Sequence, residues 1–291
     1  MASEQHVYEF WTEQSKSATV ETMMLNPNAK SIDDADRMDV LDGLPPAIET
    51  MRVLELGAGI GRFTQPLAAR AKRVHATDFM ESFISKNKES HAERYPNITF
   101  EVGNCVDMEI SKNSYDLVFS NWLLMYLSDH QIASLLLNIV RWLTPGGYLL
   151  LRESCTDSST RNKSTDISEN PTNYRHVYQY LQLLNCIGYK DDKSDTLWTF
   201  QILWSKSINT YIRVKHNWRQ CQMLVKKVPM TAVSGSLTVA TVDALQTMLD
   251  ESGTRHATLR GWLTKTLANK SRPDREQRLI KVCDGVEAAN V

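Results

Sequence analysis

The sequence predicts an α/β fold built on a parallel sheet. Three observations carry this. Apolar strand-like runs alternate with helix-like segments between Val53 and Arg152, and parallel strands need such crossovers. Val53-Leu54-Glu55-Leu56 runs straight into Gly57-Ala58-Gly59-Ile60-Gly61. Glycines let the backbone bend and admit a ligand close to the main chain, and the helix behind them points free N–H groups at it. Asp78 closes the next apolar run, Val74–Thr77, where a carboxylate can accept hydrogen bonds from ribose hydroxyls.

The elements follow in order. Residues 1–45 read as helical, clearest over Ala18–Leu25, with a second helix over Asp33–Leu44 that stops before Pro45-Pro46. Val53–Leu56 is strand one, and the helix after Gly61 runs to about Lys72. Val74–Thr77, Ile98–Val102, Tyr115–Ser120 and Tyr148–Arg152 are strands two to five, with a helix over Glu81–His91 between strands two and three. Ser128-Asp129 caps a helix whose Ile132, Leu135, Leu136, Ile139 and Val140 share one apolar face. Thr156–Asn173 is rich in Ser, Thr, Asp and Asn and reads as a surface loop or lid. Tyr174–Leu184 looks helical. Trp198–Trp204, Ile208–Val214 and Arg219–Val225 alternate like strands, with His216-Asn217 as a turn, which suggests a closing antiparallel hairpin. Beyond residue 230, Val242, Leu245, Met248 and Leu249 fit one helical face, and Leu259, Trp262, Leu263 and Leu267 another. The expected division is a helical cap over 1–45, a ligand-binding domain over 46–228 and a helical appendage over 229–291.

Composition narrows the function. The chain has 291 residues, 42% of them hydrophobic and 23% charged, enough for one large domain with an appendage. A net charge of −1 supplies no global field for nucleic acid or acidic membrane. No apolar run approaches the roughly 18–20 residues of a membrane span, and Met1-Ala2-Ser3-Glu4-Gln5-His6 lacks a signal-peptide core. The 5 cysteines are widely spaced without a C-x-x-C pair. They argue for reduced thiols in a cytoplasmic protein and against a zinc site. Asn97-Ile98-Thr99 matches a glycosylation pattern by chance on this reading.

The glycine loop departs from the dinucleotide fingerprint G-x-G-x-x-G. Its third glycine, Gly61, comes one residue early, and Arg62 stands in the expected place. That spacing, with Glu55 inside the strand, resembles motif I of S-adenosylmethionine-dependent methyltransferases. So do Thr144-Pro145-Gly146-Gly147 before strand five and Ser120-Asn121 at the end of strand four. The implied fold is the class I, Rossmann-like methyltransferase fold, a seven-stranded sheet with a closing antiparallel hairpin. The implied cofactor is S-adenosylmethionine, with S-adenosylhomocysteine as product and no metal. Longer blocks are more specific: VLELGAGIGRFT at Val53–Thr64, FSNWLLMYLSD at Phe119–Asp129, RESC at Arg152–Cys155, NPTNYR at Asn170–Arg175 and TFQILWSKSINTYIRVKHN at Thr199–Asn217. They resemble the N-terminal methyltransferase half of the phosphoethanolamine N-methyltransferases of plants and nematodes, the nematode type most, over about residues 8–228. The resemblance implies methylation of phosphoethanolamine to phosphomonomethylethanolamine, the first step toward phosphocholine and phosphatidylcholine.

Site residues follow from both readings. Gly57, Gly59 and Gly61 admit the cofactor, Asp78 holds its ribose, and Phe79 packs on adenine. Asn104 takes the position where the family usually has Asp, Cys105 touches the ring or is a small core residue, and Asn121 faces cofactor and substrate. The amine must lose its proton before attack, since its pKa is near that of Lys, about 10.4. Tyr126 is the candidate contact and relay, with a core tyrosine the other reading. Glu13, with Gln14 and Ser15, is a candidate base segment. A guanidinium flanked by phenols suits the phosphate, which nominates Tyr174, Arg175 and Tyr178. Trp11 and Trp122 are candidate walls. The relatives' Tyr–His pair does not carry over, because Tyr126 stands at the histidine position. Two rivals remain: a methyltransferase for another small molecule, and a non-catalytic cofactor-binding partner protein. The oligomeric state is open, with a monomer the simpler expectation.

Overall fold

The computed structural model describes residues 3–155, 170–191, 194, 196–230, 236–240 and 278–282. Its helices are α1 (Glu4–Ser15), α2 (Val20–Met23), α3 (Asp33–Leu41), α4 (Thr64–Ala68), α5 (Glu81–His91), α6 (Asp129–Trp142), α7 (Val177–Cys186) and α8 (Asn209–Lys215). Its strands are β1 (Arg52–Leu56), β2 (Arg73–Asp78), β3 (Ile98–Val102), β4 (Tyr115–Asn121), β5 (Leu143–Ser154), β6 (Ile187–Lys190), β7 (Leu197–Ser207), β8 (Gln220–Pro229), β9 (Ser236–Ala240) and β10 (Arg278–Val282).

These strands form one sheet in the order β3-β2-β1-β4-β5-β8-β7-β6-β10-β9. The first five are parallel, and the rest pair antiparallel. Seven of them make the expected arrangement, and β6, β9 and β10 extend it beyond β7. Side chains alternate across the central strands as a pleated sheet requires. Leu54, Leu56, Val118, Leu149, Leu151, Met223 and Val225 pack on one face with Ile132, Leu135, Leu136 and Ile139 of α6. Val53, Leu117, Phe119, Leu150 and Leu224 pack on the other with Phe63, Leu67 and Tyr211. Both faces are covered, so β1 reads as a continuous apolar run. A Leu or Ile buried this way contributes about 1.5–3 kcal/mol. The Ser128 cap of α6 is a capping box closed by Gln131.

The hairpin differs from expectation in one element. Ile208–Val214 is not a strand: Asn209–Lys215 is α8, set between β7 and β8. A strand would put positions 208, 210, 212 and 214 on one face, yet Val214 is 55% exposed while Ile208 and Tyr211 are buried. Seven residues cannot separate the two periods by pattern alone. Asp39 of α3 fixes the helix by accepting from the Thr210 N–H at 2.5 Å and its hydroxyl at 2.6 Å. His216, at φ 48°, ends it in the left-handed conformation. β7 and β8 then pair from Trp198↔Pro229 to Ser207↔Cys221.

In the 229–291 segment, β9 and β10 pair with each other and extend the sheet from β6. The helical faces expected at 242–249 and 259–267 lie outside the described residues, as does most of the 156–173 loop. Asn97 is engaged inward, donating to Ala68 and Ala71 carbonyls at 2.9 and 3.1 Å, which agrees with a chance sequon.

Candidate active site

A cavity of about 810 Å³ opens where the parallel strands end. Gly57-Ala58-Gly59 follows β1 there, Asp78-Phe79 ends β2, and Asn121-Trp122 ends β4. Gly59, at φ 54°, turns its bare Cα toward Met23, whose sulfur lies 3.0 Å from where a Cβ would sit. Gly61 has another task and does not line the cavity. A Cβ there would fall 2.3 Å from the Asn87 Oδ1, and its φ is +93°. Gly61 therefore lets α5 approach the turn, and it shapes the cavity's glycine turn from behind rather than lining it. Asn87 passes the contact on, donating to the Thr64 hydroxyl at 2.8 Å, which donates to Glu55 at 2.6 Å.

Two buried carboxyls lie beneath the turn. Asp78 accepts from the Gly59 and Met80 N–H groups, both at 2.9 Å, and burial still pushes it up to about 6. Burial pushes Glu55 up to about 8, with Thr64 opposing and Asp78 adding to the rise. Phe79, Asn104, Cys105 and Asn121 all line the cavity. Asn104 turns its amide to its own loop, donating to Asp107 at 2.9 Å and accepting from the Val106 N–H at 3.2 Å. Burial pushes the Cys105 thiol up to about 12, so it stays protonated. Asn121 accepts from Arg152 at 3.2 Å.

The cavity's other end is walled by rings. α1 presents Glu4, Val7, Tyr8 and Trp11 on one helical face. Trp11 meets Tyr126 edge-on at 5.2 Å. Tyr126 is buried, and burial, reinforced by Tyr174 and Glu153, holds its phenol well above 10. It is a neutral hydroxyl at neutral pH, able to donate or accept but not an anionic base. Trp122 donates through Nε1 to Gln220 at 2.8 Å, and the Arg152 guanidinium stacks 3.5 Å from its ring centre. Among the described lining residues, Arg62 is the one cation, and Asp33 and Asp36 meet its charge.

Several sequence-predicted residues lie elsewhere. Glu13 stands on the far side of α1, exposed and paired with Lys16. Gln14 and Ser15 do not line the cavity, and the Ser15 hydroxyl donates to the Thr12 carbonyl at 2.8 Å. Helical geometry turns Glu13 off the face of Val7, Tyr8 and Trp11, whereas Gln14 and Ser15 continue that face one turn beyond the cavity's edge. Tyr174 does line it, but Tyr178, 48% exposed, does not. Arg175 is buried away from the cavity with its donors occupied. Nε donates to Asp129 at 2.7 Å, Nη1 to the Leu124 and Asn173 carbonyls at 3.2 Å each, and Nη2 to the Leu127 carbonyl at 2.8 Å. Nη2 also meets the Asp129 carboxylate, so all five N–H donors are engaged within the fold and none is left for a phosphate, which corrects its assignment. His176, unassigned from sequence, caps α7 by accepting from the Tyr178 N–H at 3.2 Å. Tyr8, Arg62, Tyr211 and Gln220 were missed. The spacing of Glu4, Val7, Tyr8 and Trp11 could have pointed to Tyr8, whereas Tyr211 and Gln220 arrive through the hairpin without a local signal.

The parallel half-sheet, the glycine turn after β1 and the acidic end of β2 define the class I S-adenosylmethionine-dependent methyltransferase fold. A methyltransferase-domain family matches residues 53–147. Within that class, the chain is a relative of the phosphoethanolamine N-methyltransferases. It is 44% identical over 225 residues to phosphoethanolamine N-methyltransferase 1 of Caenorhabditis elegans, covering 76% of this chain and 47% of that protein. Against phosphoethanolamine N-methyltransferase 1 of Triticum aestivum it is 42% identical over 229 residues, 78% of this chain and 45% of the other. The chain thus spans about half the length of the curated relatives it matches. A solved Haemonchus contortus phosphoethanolamine N-methyltransferase 1, in complex with phosphoethanolamine and S-adenosylhomocysteine, matches with a TM-score of 0.77 and 38% identity, over 92% of this chain and 57% of that one. A Leishmania major S-adenosylmethionine-dependent methyltransferase, at TM-score 0.59 and 20% identity, shares the fold, over 77% of this chain and 81% of that one.

Proposed function

We propose that this chain transfers the methyl group of S-adenosylmethionine to the amine of phosphoethanolamine, giving phosphomonomethylethanolamine and S-adenosylhomocysteine. The carrying observation is one continuous cavity that joins the glycine turn and Asp78 to the aromatic wall of Trp11, Trp122 and Tyr126. The likeness to a protein solved with phosphoethanolamine and S-adenosylhomocysteine supports this substrate pair. On this reading Gly57, Gly59 and Asp78 take the cofactor's backbone and ribose. Adenine lies between Phe79 and the Asn104-Cys105 segment. Asn121 stands between cofactor and acceptor.

The amine's lone pair must lie on the methyl–sulfur axis, so positioning carries much of the rate. Burial beside the sulfonium disfavours the protonated amine. Tyr126 contacts the amine as a neutral hydroxyl, and Tyr174 serves the phosphate end. Arg175 acts there only through the backbone it holds. The product would feed phosphocholine and phosphatidylcholine synthesis. We further propose cytoplasmic action as a monomer on a small phosphobase, without a nucleic-acid or membrane partner. The buried Cys105, Cys155 and Cys221, without a disulfide among the described residues, support that compartment. Among the described residues, no helix is long and apolar enough to cross a membrane. We keep the divisions at residues 45 and 228 as the working domain assignment, with β9 and β10 of the appendage adding to the domain's sheet.

The test is methyl transfer from labelled cofactor to phosphoethanolamine, beside ethanolamine and the mono- and dimethyl phosphobases. Transfer to phosphoethanolamine alone is the expected result. Cofactor binding without transfer to any of them would overturn the proposal.

A further inference from the structure

The turn that follows β4 brings Leu123, Met125, Tyr126 and Leu127 to the cavity. It cannot hold itself. Its 3-10 segment is only Leu124–Tyr126, closed by Tyr126 N–H to the Leu123 carbonyl at 3.0 Å and Leu127 N–H to the Leu124 carbonyl at 3.1 Å. Trp122 enters it at φ +56°, a left-handed conformation that a bulky side chain adopts only under constraint.

Two buried side chains supply that constraint from opposite sides. Glu153, on β5 and 0% exposed, accepts from the Leu123 and Leu124 N–H groups at 3.2 and 2.9 Å through Oε1. Through Oε2 it accepts from the Met125 N–H at 3.2 Å. Arg175 grips the carbonyl side, donating to Leu124 at 3.2 Å and Leu127 at 2.8 Å. Asp129 orients the guanidinium, and the Asn173 N–H adds a bond to the Met125 carbonyl at 2.7 Å. Neither Glu153 nor Arg175 lines the cavity. A carboxylate only accepts and a guanidinium only donates, so each can satisfy one polarity of the turn's backbone and not the other.

We infer that Glu153 and Arg175 are a paired backbone clamp that sets the position of Tyr126 and Leu123 against the bound ligands. They are positioning residues for methyl transfer, and this role rests on reading the cavity as the transfer site. The RESC and NPTNYR blocks then serve the turn within FSNWLLMYLSD from two sides.

The test compares wild type with Glu153→Gln and Arg175→Lys in the full chain. Gln keeps the shape but replaces one accepting oxygen with a donor. Lys keeps the charge but loses the fork. The first readout is amide hydrogen exchange at Leu123, Leu124 and Met125, which needs no substrate. Exchange at these amides should rise about tenfold or more in Glu153→Gln while amides of β1 and β4 keep their protection. The second readout is methyl transfer. In both variants kcat should fall about tenfold or more while the Kd for S-adenosylhomocysteine stays within about threefold. Unprotected turn amides in the wild type would overturn the clamp. So would loss of protection across the whole domain in both variants, or unchanged exchange and kcat. A wild type that methylates no phosphobase sinks the proposed reaction, while the exchange result still decides the clamp.

Discussion

Glu55 allows the electrostatics beneath the glycine turn to be tested quantitatively. It is 2% exposed, accepts from Thr64 at 2.6 Å, and burial pushes it from 4.5 to about 8. Unfolded, the group loses its proton near the lower value; folded, it keeps the proton to the higher one. Between the two, the native state binds more protons, so stability falls as pH rises, by at most about 1.4 kcal/mol per pH unit. Integrated between about pH 6 and pH 8, Glu55 should cost on the order of 2 kcal/mol. Glu55→Gln keeps the shape and the Thr64 contact but removes the ionisation. Whatever constant offset the substitution brings, the variant should gain on the wild type by roughly 2 kcal/mol across that window. Urea denaturation of both proteins at the two pH values measures the gap. A gap constant to within about 0.5 kcal/mol would refute the raised value, because extrapolation error is of that order. The same carboxyl lines the cavity. A cationic ligand there favours its ionised form, so cofactor binding near neutral pH should release protons.

The other predictions follow from named contacts. Arg175→Ala should destabilise the fold by about 3–5 kcal/mol, because it strands the Asp129 carboxylate and the turn carbonyls in a buried setting. A variant of unchanged Tm that loses only phosphobase affinity would contradict this. Asp78→Ala removes the acceptor for the Gly59 and Met80 N–H groups and should weaken cofactor binding about tenfold or more. An unchanged Kd would rule out the ribose role. Gly61→Ala puts a Cβ 2.3 Å from the Asn87 Oδ1 at φ +93°. Thermal unfolding should show a loss of about 1–3 kcal/mol, and none would mean that α5 gives way freely.

Elements with long periodic signals were legible from the sequence. β1, β2 and β4 read correctly because both their faces are buried. α6 read correctly because its cap and five apolar positions agree on one face. α8 did not, because its few apolar positions satisfy both periods. β6 spans only Ile187–Lys190 and takes its strand identity from pairing with β7 and β10. β9 and β10 are likewise defined by a long-range partnership that no local pattern announces.

The two ends of the cavity differ for the same reason. The cofactor end is local: Gly59 and Asp78 are 19 residues apart and bond directly, so turn chemistry and one carboxylate suffice to find them. The acceptor end is assembled across the chain. Trp122 meets Gln220 over 98 residues, and Arg175 meets the Leu127 carbonyl over 48. Sequence reasoning matched Arg175 to phosphate because the chemistry of a guanidinium is visible in a sequence and its occupancy is not. A phosphate and a row of turn carbonyls present the same acceptor chemistry to it. Only the packed geometry distinguishes them, and here Asp129 and the backbone of the 122–127 turn claim the guanidinium. On the proposed reaction, the phosphate end must therefore be recognised by side chains that do reach the cavity, so Tyr174 takes over the specificity question that Arg175 carried in the sequence.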